Sequence, residues 1–551
     1  MKIVIACLNS KYIHASLAPW CLKAGVDNYC KSCVDAVVME STVNADPIAF
    51  AQNIINENPQ VVSLSCYIWN IKQTLEICRY IKANSDAVVA IGGPEVSYRA
   101  ESVLNEYDFL DYVLCGEGEF TYPLLIDAVA GMGDLASVNG LCYRENGVVI
   151  CNPEVECTET PPSPYSGDFY SNLKGRIAYV ETSRGCPYRC AFCLSGRCSK
   201  LRFFDIEQVK RDIINLSNSG TKTLKFVDRT FNADYKRANE IISFILDNRG
   251  TKIPEGVCFH FEIAGDILNV ETFKLLESAP AGLFQLEIGM QSFNEDTLKT
   301  INRKTNTERL LKNIKRLISF KNMHIHIDLI AGLTGEDLKS FEHSFNIGYS
   351  LNAHMLQMGF LKLLYGAEMR ENKAKYPCEF NPEPPYEVTS TPWLSNDEIV
   401  KLKRCEDALE RLYNSGRFLL TLDYLINVVG FEPFRLFFDF GNFVDGSKMN
   451  LSDYALKIYE YFNDKCDSDA LIEKLHCDLL SCSSALQIPD AFKAKHPLYR
   501  RAKFHFTNNT SDKIKVAVLG KSQKIFVVNQ SGKKDFRGRY PYRFYDFDVL
   551  E

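Results

Sequence analysis

The 551-residue sequence lacks several features that would place it in a familiar class at once. No stretch approaches the roughly 18 apolar residues that a membrane helix needs, and the opening run KIVIACL is too short for the core of a signal peptide. Positive charge is not in excess, because 63 Lys and Arg face 69 Asp and Glu, a net charge of −6. We therefore expect a cytoplasmic protein without membrane attachment and with no electrostatic reason to bind nucleic acid.

Internal repeats and low-complexity segments are also missing, whereas cysteine is plentiful. The chain has 20 cysteines, but a secreted disulfide scaffold would be short and cysteine-dense, and this chain is neither. In a reducing cytoplasm we expect them to be free thiols or metal ligands. Isolated cysteines in apolar surroundings are interpreted as small buried hydrophobic residues: Cys7, Cys66, Cys78, Cys115 and Cys258.

The first 135 residues alternate strand-like and helix-like patterns. Five nearly continuous apolar runs read KIVIACL (2–8), DAVVMES (35–41), VVSLSCYIW (61–69), AVVAIGG (87–93) and YVLCG (112–116). Runs of this kind are typical of strands buried on both faces of a parallel sheet. We predict a doubly wound, Rossmann-like α/β domain over 1–135 with its ligand at the C-terminal ends of the strands. Residues 136–174 are predicted to be a β-hairpin, turning at Asn146-Gly147, and a Pro-rich linker.

A second strand–helix series occupies 175–375. Its six strand-like runs cover 176–183, 223–231, 257–265, 283–292, 324–333 and 355–364. Helical patterns separate them, as in FDIEQVKRDIINL, where Asp205 is the predicted N-cap. Six such units predict a partial (β/α)6 TIM-like barrel with its active site at the C-terminal strand ends. Residues 376–551 are predicted to be mainly helical, with a short β-hairpin near the end.

Three cysteines stand close together in RGCPYRCAFCLSG, residues 184–196. Cys186, Cys190 and Cys193 have a C-x3-C-x2-C spacing, and thiolates in such a loop can hold an iron–sulfur cluster. A [4Fe–4S] cube has four irons, so three cysteines leave one iron open to a substrate or cofactor. A zinc site would need a second pair of ligands, which the sequence does not provide. Three unrelated buried thiols are the remaining alternative, and Cys198 is interpreted as a bystander.

This spacing, directly after the first strand of a (β/α) series, resembles the signature of the radical S-adenosylmethionine (SAM) enzymes. The resemblance implies that the open iron binds the amino and carboxylate groups of SAM. It extends to LEIGMQSFN, INRKT and HIDLIAGLTGE, which look like the coproporphyrinogen-oxidase-like branch of the family. The SAM contacts that it implies are Phe192 on the adenine side, Glu262 and Gln291 near the ends of the third and fourth strands, Arg303, and Asp328 on the fifth strand. The family's G-G-E is replaced by KFVDRTFNAD, with Asp228 and Arg229, and LIAGLTGE matches the family's adenine-side motif only in part.

The first domain has no G-x-G-x-x-G after its first strand, which argues against a dinucleotide site. Its third and fourth strands instead resemble those of cobalamin-binding domains. That resemblance assigns Ser65, Tyr67, Gly92 and Gly93 to the cofactor's nucleotide tail, where small residues let the ligand approach the backbone. The family's D-x-H-x-x-G is replaced by NSKYIHAS, in which His14 is a candidate cobalt ligand. YVLCGEGEF resembles the segment that closes such a domain ahead of a radical SAM barrel.

Together the two resemblances imply a cobalamin-dependent radical SAM enzyme, with a [4Fe–4S] cluster, SAM and cobalamin as cofactors. The implied reaction is methyl transfer from methylcobalamin to a substrate radical, with electrons from a donor such as flavodoxin or ferredoxin. The alternatives are an oxidoreductase or rearrangement enzyme that uses cobalamin without methyl transfer, a cobalamin sensor with a vestigial barrel, and a methylthiotransferase. Residues 376–551 resemble a domain of unknown function, and the sequence does not identify a substrate.

Overall fold

A computed structural model of the chain describes residues 1–197, 200–482, 488–493, 496–508 and 510–551. The chain divides into two compact units. Unit 1 is Met1–Leu286, Ile301–Thr305 and Lys362–Val388, and unit 2 is Glu287–Thr300, Asn306–Leu361 and Thr389–Glu551. Within these described ranges, no helix is both long and apolar enough to cross a membrane.

The strands, in chain order, are β1 Lys2–Asn9, β2 Asp35–Thr42, β3 Val61–Ser65, β4 Val88–Gly92, β5 Tyr112–Leu114, β6 Leu141–Glu145, β7 Val148–Cys151, β8 Ile177–Val180, β9 Ser183–Arg184, β10 Arg202–Phe203, β11 Thr223–Phe226, β12 Cys258–Ile263, β13 Phe284–Gln291, β14 His324–Ala331, β15 Met355–Phe360, β16 Glu379–Phe380, β17 Val388–Ser390, β18 Ile514–Leu519, β19 Lys524–Asn529 and β20 Tyr542–Asp546.

The α-helices are α1 Ala18–Tyr29, α2 Pro47–Asn56, α3 Ile71–Asn84, α4 Pro94–Ser97, α5 Ala100–Glu106, α6 Gly118–Val129, α7 Gly167–Ser171, α8 Ile206–Ser217, α9 Tyr235–Asn248, α10 Val270–Ser278, α11 Glu295–Thr300, α12 Thr307–Ser319, α13 Leu338–Ser350, α14 Glu368–Glu371, α15 Asn396–Leu409, α16 Leu419–Asp423, α17 Pro433–Val444, α18 Leu451–Phe462, α19 Ser468–Cys482 and α20 Tyr499–Thr507. Two π-helical turns, Glu410–Asn414 and Tyr424–Val429, follow α15 and α16.

The first sheet of unit 1 has the strand order β2-β1-β3-β4-β5-β6-β7. Its first five strands are parallel, and β1 is buried on both faces, since Val4 and Ile5 belong to two different core clusters. The predicted doubly wound domain is therefore confirmed. The hairpin turn at Asn146 and Gly147, both with positive φ, is also confirmed, but β6 and β7 extend the sheet in antiparallel fashion instead of forming a separate connector.

One cysteine pair differs from the expectation that the cysteines are free thiols or metal ligands. Cys142 and Cys151 form a disulfide across β6 and β7, with their Cα atoms 4.1 Å apart. They oppose each other directly in the ladder, beside the hydrogen bond from Asn152 N to Leu141 O. Opposed residues at such a non-hydrogen-bonded position approach to about 4.5 Å, which brings their sulfur atoms within bonding reach.

The second sheet begins in unit 1 with β8, β11 and β12, which pair in parallel. The backbone continues this pairing to the start of β13, where Phe259 N donates to Leu283 O at 2.8 Å. Buried rings of Phe226, Phe231 and Phe261 pack together behind the strands. The predicted N-cap of α8 is confirmed, because the Asp205 carboxylate accepts from Gln208 N at 2.8 Å.

In unit 2 the sheet continues through the rest of β13 to β14 and β15, so that the complete strand order is β15-β14-β13-β12-β11-β8. The predicted partial barrel of six strands is confirmed. The C-terminal region is mainly helical, as predicted, and α15 starts with a capping box between Ser395 and Glu398. Its terminal β-structure has three antiparallel strands, not the predicted two, because β20 pairs with β19 after a long basic loop.

Candidate functional site

The three-cysteine loop follows β9 in unit 1 and is held from both sides by backbone hydrogen bonds. Ala191 N donates to Ile301 O at 2.9 Å, and Met369 N donates to Ala191 O at 3.0 Å. Gly185 opens the loop at φ +96°, where an added Cβ would lie 2.3 Å from Lys200 O. A larger residue would therefore displace the loop at the position just before its first cysteine.

The sulfur atoms of the loop lie beside polar and cationic groups. Arg303 Nη1 lies 3.7 Å from Cys190 Sγ, and Thr230 Oγ1 lies 3.4 Å from Cys186 Sγ. Burial raises the pKa of the Cys190 thiol, while Arg303 counteracts it, and negative charge on Cys193 or Cys186 would raise it further. The predicted SAM contact Arg303 is thus next to the cysteine loop, where it stabilises thiolate charge.

The donor set fits an iron–sulfur cluster better than a single zinc ion. Tetrahedral zinc with Zn–S bonds of about 2.3 Å would bring sulfur atoms to about 3.8 Å from one another. The three sulfur atoms of the loop do not all lie within 4.8 Å of one another. Within the described ranges, only Glu287, His326 and Asp328 form a group of that kind. Three thiols at wider spacing suit a larger cluster. Cys198, the predicted bystander, lies outside the described residues.

Two other predicted SAM contacts belong to unit 1. Phe192 is half-buried between Cys190 and Cys193. Glu262 lies one residue before the end of β12, and its Oε1 is 3.3 Å from Lys225 Nζ on β11. The structure therefore brings Phe192 and Arg303 to the cysteine loop and pairs Glu262 with a barrel lysine. Their roles toward SAM stay predictions.

The remaining two predicted SAM contacts lie in unit 2, Gln291 on β13 and Asp328 on β14. Gln291 is the last residue of β13, with φ +69°. Asp328 instead groups with Glu287 and His326, whose ligand atoms all lie within 4.8 Å of one another. Glu287 precedes Gln291 by four residues on the same strand face, so their Cα atoms are about 13 Å apart along β13. The role of Asp328 toward SAM stays a prediction.

A buried carboxyl group, that of Glu336, fixes the turn after Gln291. From the sequence, this residue was noted only as the last position of the partial motif LIAGLTGE. Glu336 is fully buried, and its Oε1 accepts from Ser292 Oγ at 2.6 Å and from Ser344 Oγ at 3.1 Å. Ser344 Oγ in turn accepts from Phe293 N at 2.9 Å. Burial raises the pKa of Glu336 to about 7. This network holds the residues that directly follow Gln291.

All five residues predicted to contact cobalamin line one cavity of about 820 Å³ in unit 1: His14, Ser65, Tyr67, Gly92 and Gly93. Gly93 has φ +111°, and an added Cβ would lie 2.6 Å from Cys66 O, while one on Gly92 would lie 2.9 Å from Leu114 O. The two glycines thus leave a cradle that side chains would fill. The space and its bare backbone fit a bulky cofactor that approaches the strand ends closely.

His14 enters the same cavity from the loop after β1. Its Nδ1 lies 2.7 Å from the Tyr179 hydroxyl. Burial lowers the pKa of His14, and nearby Lys11, Lys225 and Arg176 lower it further, so the ring is neutral near pH 7. Because Nδ1 is engaged by Tyr179, Nε2 is the nitrogen left for a metal. Its role as a cobalt ligand stays a prediction.

The cavity also reaches the cysteine loop. Its wall includes Gly185, just before Cys186, and Leu194 and Ser195, just after Cys193. A parallel stack of Tyr67 and Trp69, with centroids 4.4 Å apart, forms part of the wall at the cobalamin side. One cavity therefore extends from the residues predicted to bind cobalamin to the residues on either side of the cysteine loop.

Arg184 joins the walls of this cavity. Its guanidinium contacts three carboxylates: Glu117 at 2.6 Å, Glu181 at 2.8 Å, and Glu119. Burial alone would raise the pKa of Glu119, but Arg184 outweighs it and the pKa is lowered. For Glu181 burial prevails over Arg184 and the pKa is raised. We call this group the Arg184 clamp. The clamp connects the GEGE segment to Arg184, which stands two residues before Cys186. The sequence analysis did not predict it.

The segment 362–388 forms a second connection within unit 1. The Tyr386 hydroxyl donates to the Glu95 carboxylate, two residues after Gly93. Earlier in the segment, Gly366 O accepts from Arg197 Nε, and Met369 pairs with the cysteine loop as described above. The segment thus contacts both the glycine cradle and the cysteine loop, and we call it the clasp.

Comparisons with known proteins agree with this arrangement. Residues 3–126 match the B12 binding domain family, and residues 180–346 match the radical SAM superfamily. Residues 374–531 match a family described as a protein of unknown function, DUF4080. The chain therefore carries a B12-binding domain, a radical SAM domain and a DUF4080 domain. The first two imply cobalamin, a [4Fe–4S] cluster and SAM.

Curated relatives resemble this chain over about half its length. The 2-(S-pantetheinyl)-carbapenam-3-carboxylate methyltransferase of Streptantibioticus cattleyicolor is 29% identical over 304 residues, 52% of this chain and 44% of that protein. The cobalamin-dependent radical SAM methyltransferase TokK of Streptomyces tokunonensis is 27% identical over 302 residues, 51% of this chain and 44% of that protein. The chain thus spans less than half the length of these two relatives.

A solved structure shares the fold over most of the chain. The cobalamin-dependent S-adenosylmethionine radical enzyme OxsB, with aqua-cobalamin and S-adenosylmethionine bound, superimposes with a TM-score of 0.62. The match covers 87% of this chain and 78% of OxsB at 16% identity. At that identity the likeness shows the fold.

Replacing Gly93 by Ala should weaken cobalamin binding. The new Cβ would be strained at φ +111° and would meet Cys66 O, so the backbone would shift where the cofactor approaches it. A loss of about 1.4 kcal/mol in binding free energy corresponds to about tenfold weaker binding. The control is Gly131→Ala, also at positive φ but with nothing within 4 Å of the added Cβ. Cobalamin retained after gel filtration, measured by visible absorbance, should fall only in G93A, and equal retention in both variants would contradict the assignment.

Replacing Arg184 by Gln should destabilise the protein strongly. It would leave Glu119 and Glu181 buried without their cation, a loss of about 3–5 kcal/mol. Arg249→Gln is the control, because its partner Glu255 is largely exposed and lies 3.5 Å away. We expect a large fall in melting temperature for R184Q alone, partly recovered at acidic pH as the carboxylates become protonated. A similar small effect in both variants would show that the Arg184 clamp contributes little.

The pKa of Glu336 predicts a pH dependence of stability. The folded protein holds this proton more tightly than the unfolded chain, because the pKa rises from 4.5 to about 7. The resulting stabilisation, at most about 3 kcal/mol, is therefore present below about pH 4.5 and is lost as pH rises through about 7. Between about pH 5 and pH 8 the wild-type melting temperature should fall relative to that of Glu336→Gln. A difference in melting temperature between wild type and Glu336→Gln that stays constant over this pH range would contradict the prediction.

Proposed function

Since this chain contains a B12-binding domain followed by a radical SAM domain, we propose that it is a cobalamin-dependent radical SAM methyltransferase acting on an unactivated carbon. The observation that carries the proposal is one cavity in unit 1 that adjoins both predicted cofactor sites. Its wall includes the glycine cradle at Gly92 and Gly93 and the residues on both sides of the cysteine loop, Gly185 and Leu194. A substrate in such a cavity can reach both cofactors.

The residues divide into those that hold the cofactors and those that enclose the reaction. Cys186, Cys190 and Cys193 would hold the cluster, and Arg303 would offset the negative charge of the thiolates. When bound, the cluster with SAM supplies a 5′-deoxyadenosyl radical and the cobalamin supplies a methyl group, so that a C–H bond of the substrate becomes a C–CH3 bond. The cradle and the stacked Tyr67 and Trp69 would orient the corrin and exclude water.

The relatives support methyl transfer but do not establish it for this chain. Two are named methyltransferases, at 29% and 27% identity, and each is matched over less than half of its length. We further propose that an external one-electron donor such as flavodoxin or ferredoxin reduces the cluster. We also propose that the protein works in the reducing cytoplasm, in keeping with the free thiols of its described cysteines other than Cys142 and Cys151.

The proposal is tested by reconstituting the protein anaerobically with iron, sulfide and cobalamin, and then adding SAM and a reductant. Formation of both 5′-deoxyadenosine and S-adenosylhomocysteine is the expected result. Deoxyadenosine alone would favour the oxidoreductase or rearrangement alternative. Cobalamin binding without any SAM cleavage would favour the sensor.

Replacing Cys190 by Ala should abolish both products while cobalamin binding remains. The cluster would lose one of three ligands, so the iron–sulfur absorbance should disappear as well. Cys258→Ala is the matched control, because this cysteine opens β12 and lies outside the loop. It should keep the cluster and both products. Persistence of the cluster in C190A, or its loss in C258A, would contradict the ligand assignment.

A further inference from the structure

The loop after β11 holds an exposed arginine between firmly anchored neighbours. On one side, the buried Asp228 carboxylate accepts from Thr182 N at 3.1 Å and from Thr182 Oγ1 at 2.7 Å. On the other side, Thr230 Oγ1 lies beside Cys186 Sγ. Arg229 itself is exposed and lines the cavity. Its backbone is therefore fixed close to the cysteine loop while its guanidinium remains accessible.

A second anchor lies one turn further along. Asn232 Nδ2 donates to Ala264 O, and Ala264 N donates to Asn232 Oδ1, both at 2.9 Å. This paired amide contact ties the loop to the residue that follows β12. Because Asp228, Thr230 and Asn232 are held by these contacts, the backbone at Arg229 has a fixed position beside the cysteine loop.

The charges of the cavity wall single out Arg229. Four carboxylates belong to the wall, those of Glu117, Glu119, Glu154 and Glu181. Its arginine and lysine side chains are those of Arg184 and Arg229. Arg184 is engaged by three carboxylates in its clamp. Over the described ranges, Arg229 has no carboxylate within ion-pair distance, so its charge is available to a ligand.

We propose that Arg229 binds an anionic group of the substrate, a carboxylate or a phosphate, and so fixes the substrate between the two cofactors. This rests on the proposed function, which requires a substrate that loses a hydrogen atom on the cluster side and gains a methyl group on the cobalamin side. Arg229 is well placed to orient such a substrate, because its loop adjoins Cys186 and its side chain faces the shared cavity. The planar guanidinium can engage either anion with two parallel hydrogen bonds.

Two cofactor groups offer the same chemistry. SAM carries a carboxylate, and the nucleotide tail of cobalamin carries a phosphate. The glycine cradle for that tail lies at the ends of β3 and β4, whereas Arg229 follows β11 in the other sheet. SAM already has a predicted arginine contact in Arg303, which lies beside Cys190. We therefore assign Arg229 to the substrate, and the experiment distinguishes the substrate anion from the SAM carboxylate and the cobalamin phosphate.

The test compares Arg229→Gln with Arg211→Gln, an exposed arginine of α8 that contacts Gln208 and is absent from the cavity wall. Both proteins are reconstituted with the cluster and with methylcobalamin, whose methyl group blocks anion binding at the upper face of cobalt. Inorganic phosphate is the probe, and its affinity is measured by phosphorus NMR titration. Affinities for SAM and for cobalamin are measured in parallel.

We expect wild type and R211Q to bind phosphate and R229Q to bind it about tenfold more weakly or worse, as the loss of one charge-assisted contact implies. SAM and cobalamin affinities should stay within about twofold. Equal phosphate binding in R229Q, or no binding in wild type, would overturn the proposal. A selective loss of SAM or cobalamin affinity in R229Q would also overturn it, by assigning the arginine to that cofactor.

The outcome can be separated from that of the proposed function. A wild-type protein that makes deoxyadenosine but no S-adenosylhomocysteine would refute methyl transfer. The phosphate comparison would still show whether the cavity recognises an anion through Arg229.

Discussion

The Arg184 clamp is the interaction on which the site in unit 1 depends. One guanidinium contacts Glu117 and Glu119 from the end of the first domain and Glu181 from the end of β8. Separating these groups would leave buried carboxylates without a partner, which costs far more than breaking a surface ion pair. Because Arg184 stands two residues before Cys186, the same contact that joins the two segments also positions the cysteine loop.

The clasp adds a second constraint on the same pair of loops. Tyr386 contacts Glu95 near the glycine cradle, and Met369 contacts Ala191 between the cysteines. The clasp ends within the region that matches DUF4080, which starts at residue 374. The start of that region therefore has a structural role here, because Tyr386 contacts Glu95 beside the glycine cradle, whereas Met369 lies before the region. The clasp thus constrains loops at the cobalamin side and at the cysteine side of the cavity.

Much of the fold was predictable because its signals are local. The apolar runs of the parallel strands, the Asn146-Gly147 turn and the Asp205 cap each depend on a few neighbouring residues. The cysteine spacing was equally informative, since a loop can gather three thiols without help from the rest of the chain. The glycines Gly92 and Gly93 were predicted from their resemblance to a cobalamin site, and their missing Cβ atoms explain the cradle.

The features that were missed depend on long-range pairing. Arg184 meets carboxylates 65 and 67 residues away, and no local pattern encodes such a contact. The disulfide of Cys142 and Cys151 required the register of β6 and β7, and the third C-terminal strand required a partner across a basic loop. Asp328 was interpreted from its motif alone, whereas its neighbours Glu287 and His326 are set by the pairing of strands in unit 2.

The central claim is that one cavity serves both cofactors, and electron paramagnetic resonance tests it most directly. The protein would be prepared with cob(II)alamin and a reduced cluster, each of which carries an unpaired electron. Reducing the cluster should broaden the cob(II)alamin signal or shorten its relaxation, because the two centres face the same space. A spectrum equal to the sum of two unperturbed signals would contradict the claim.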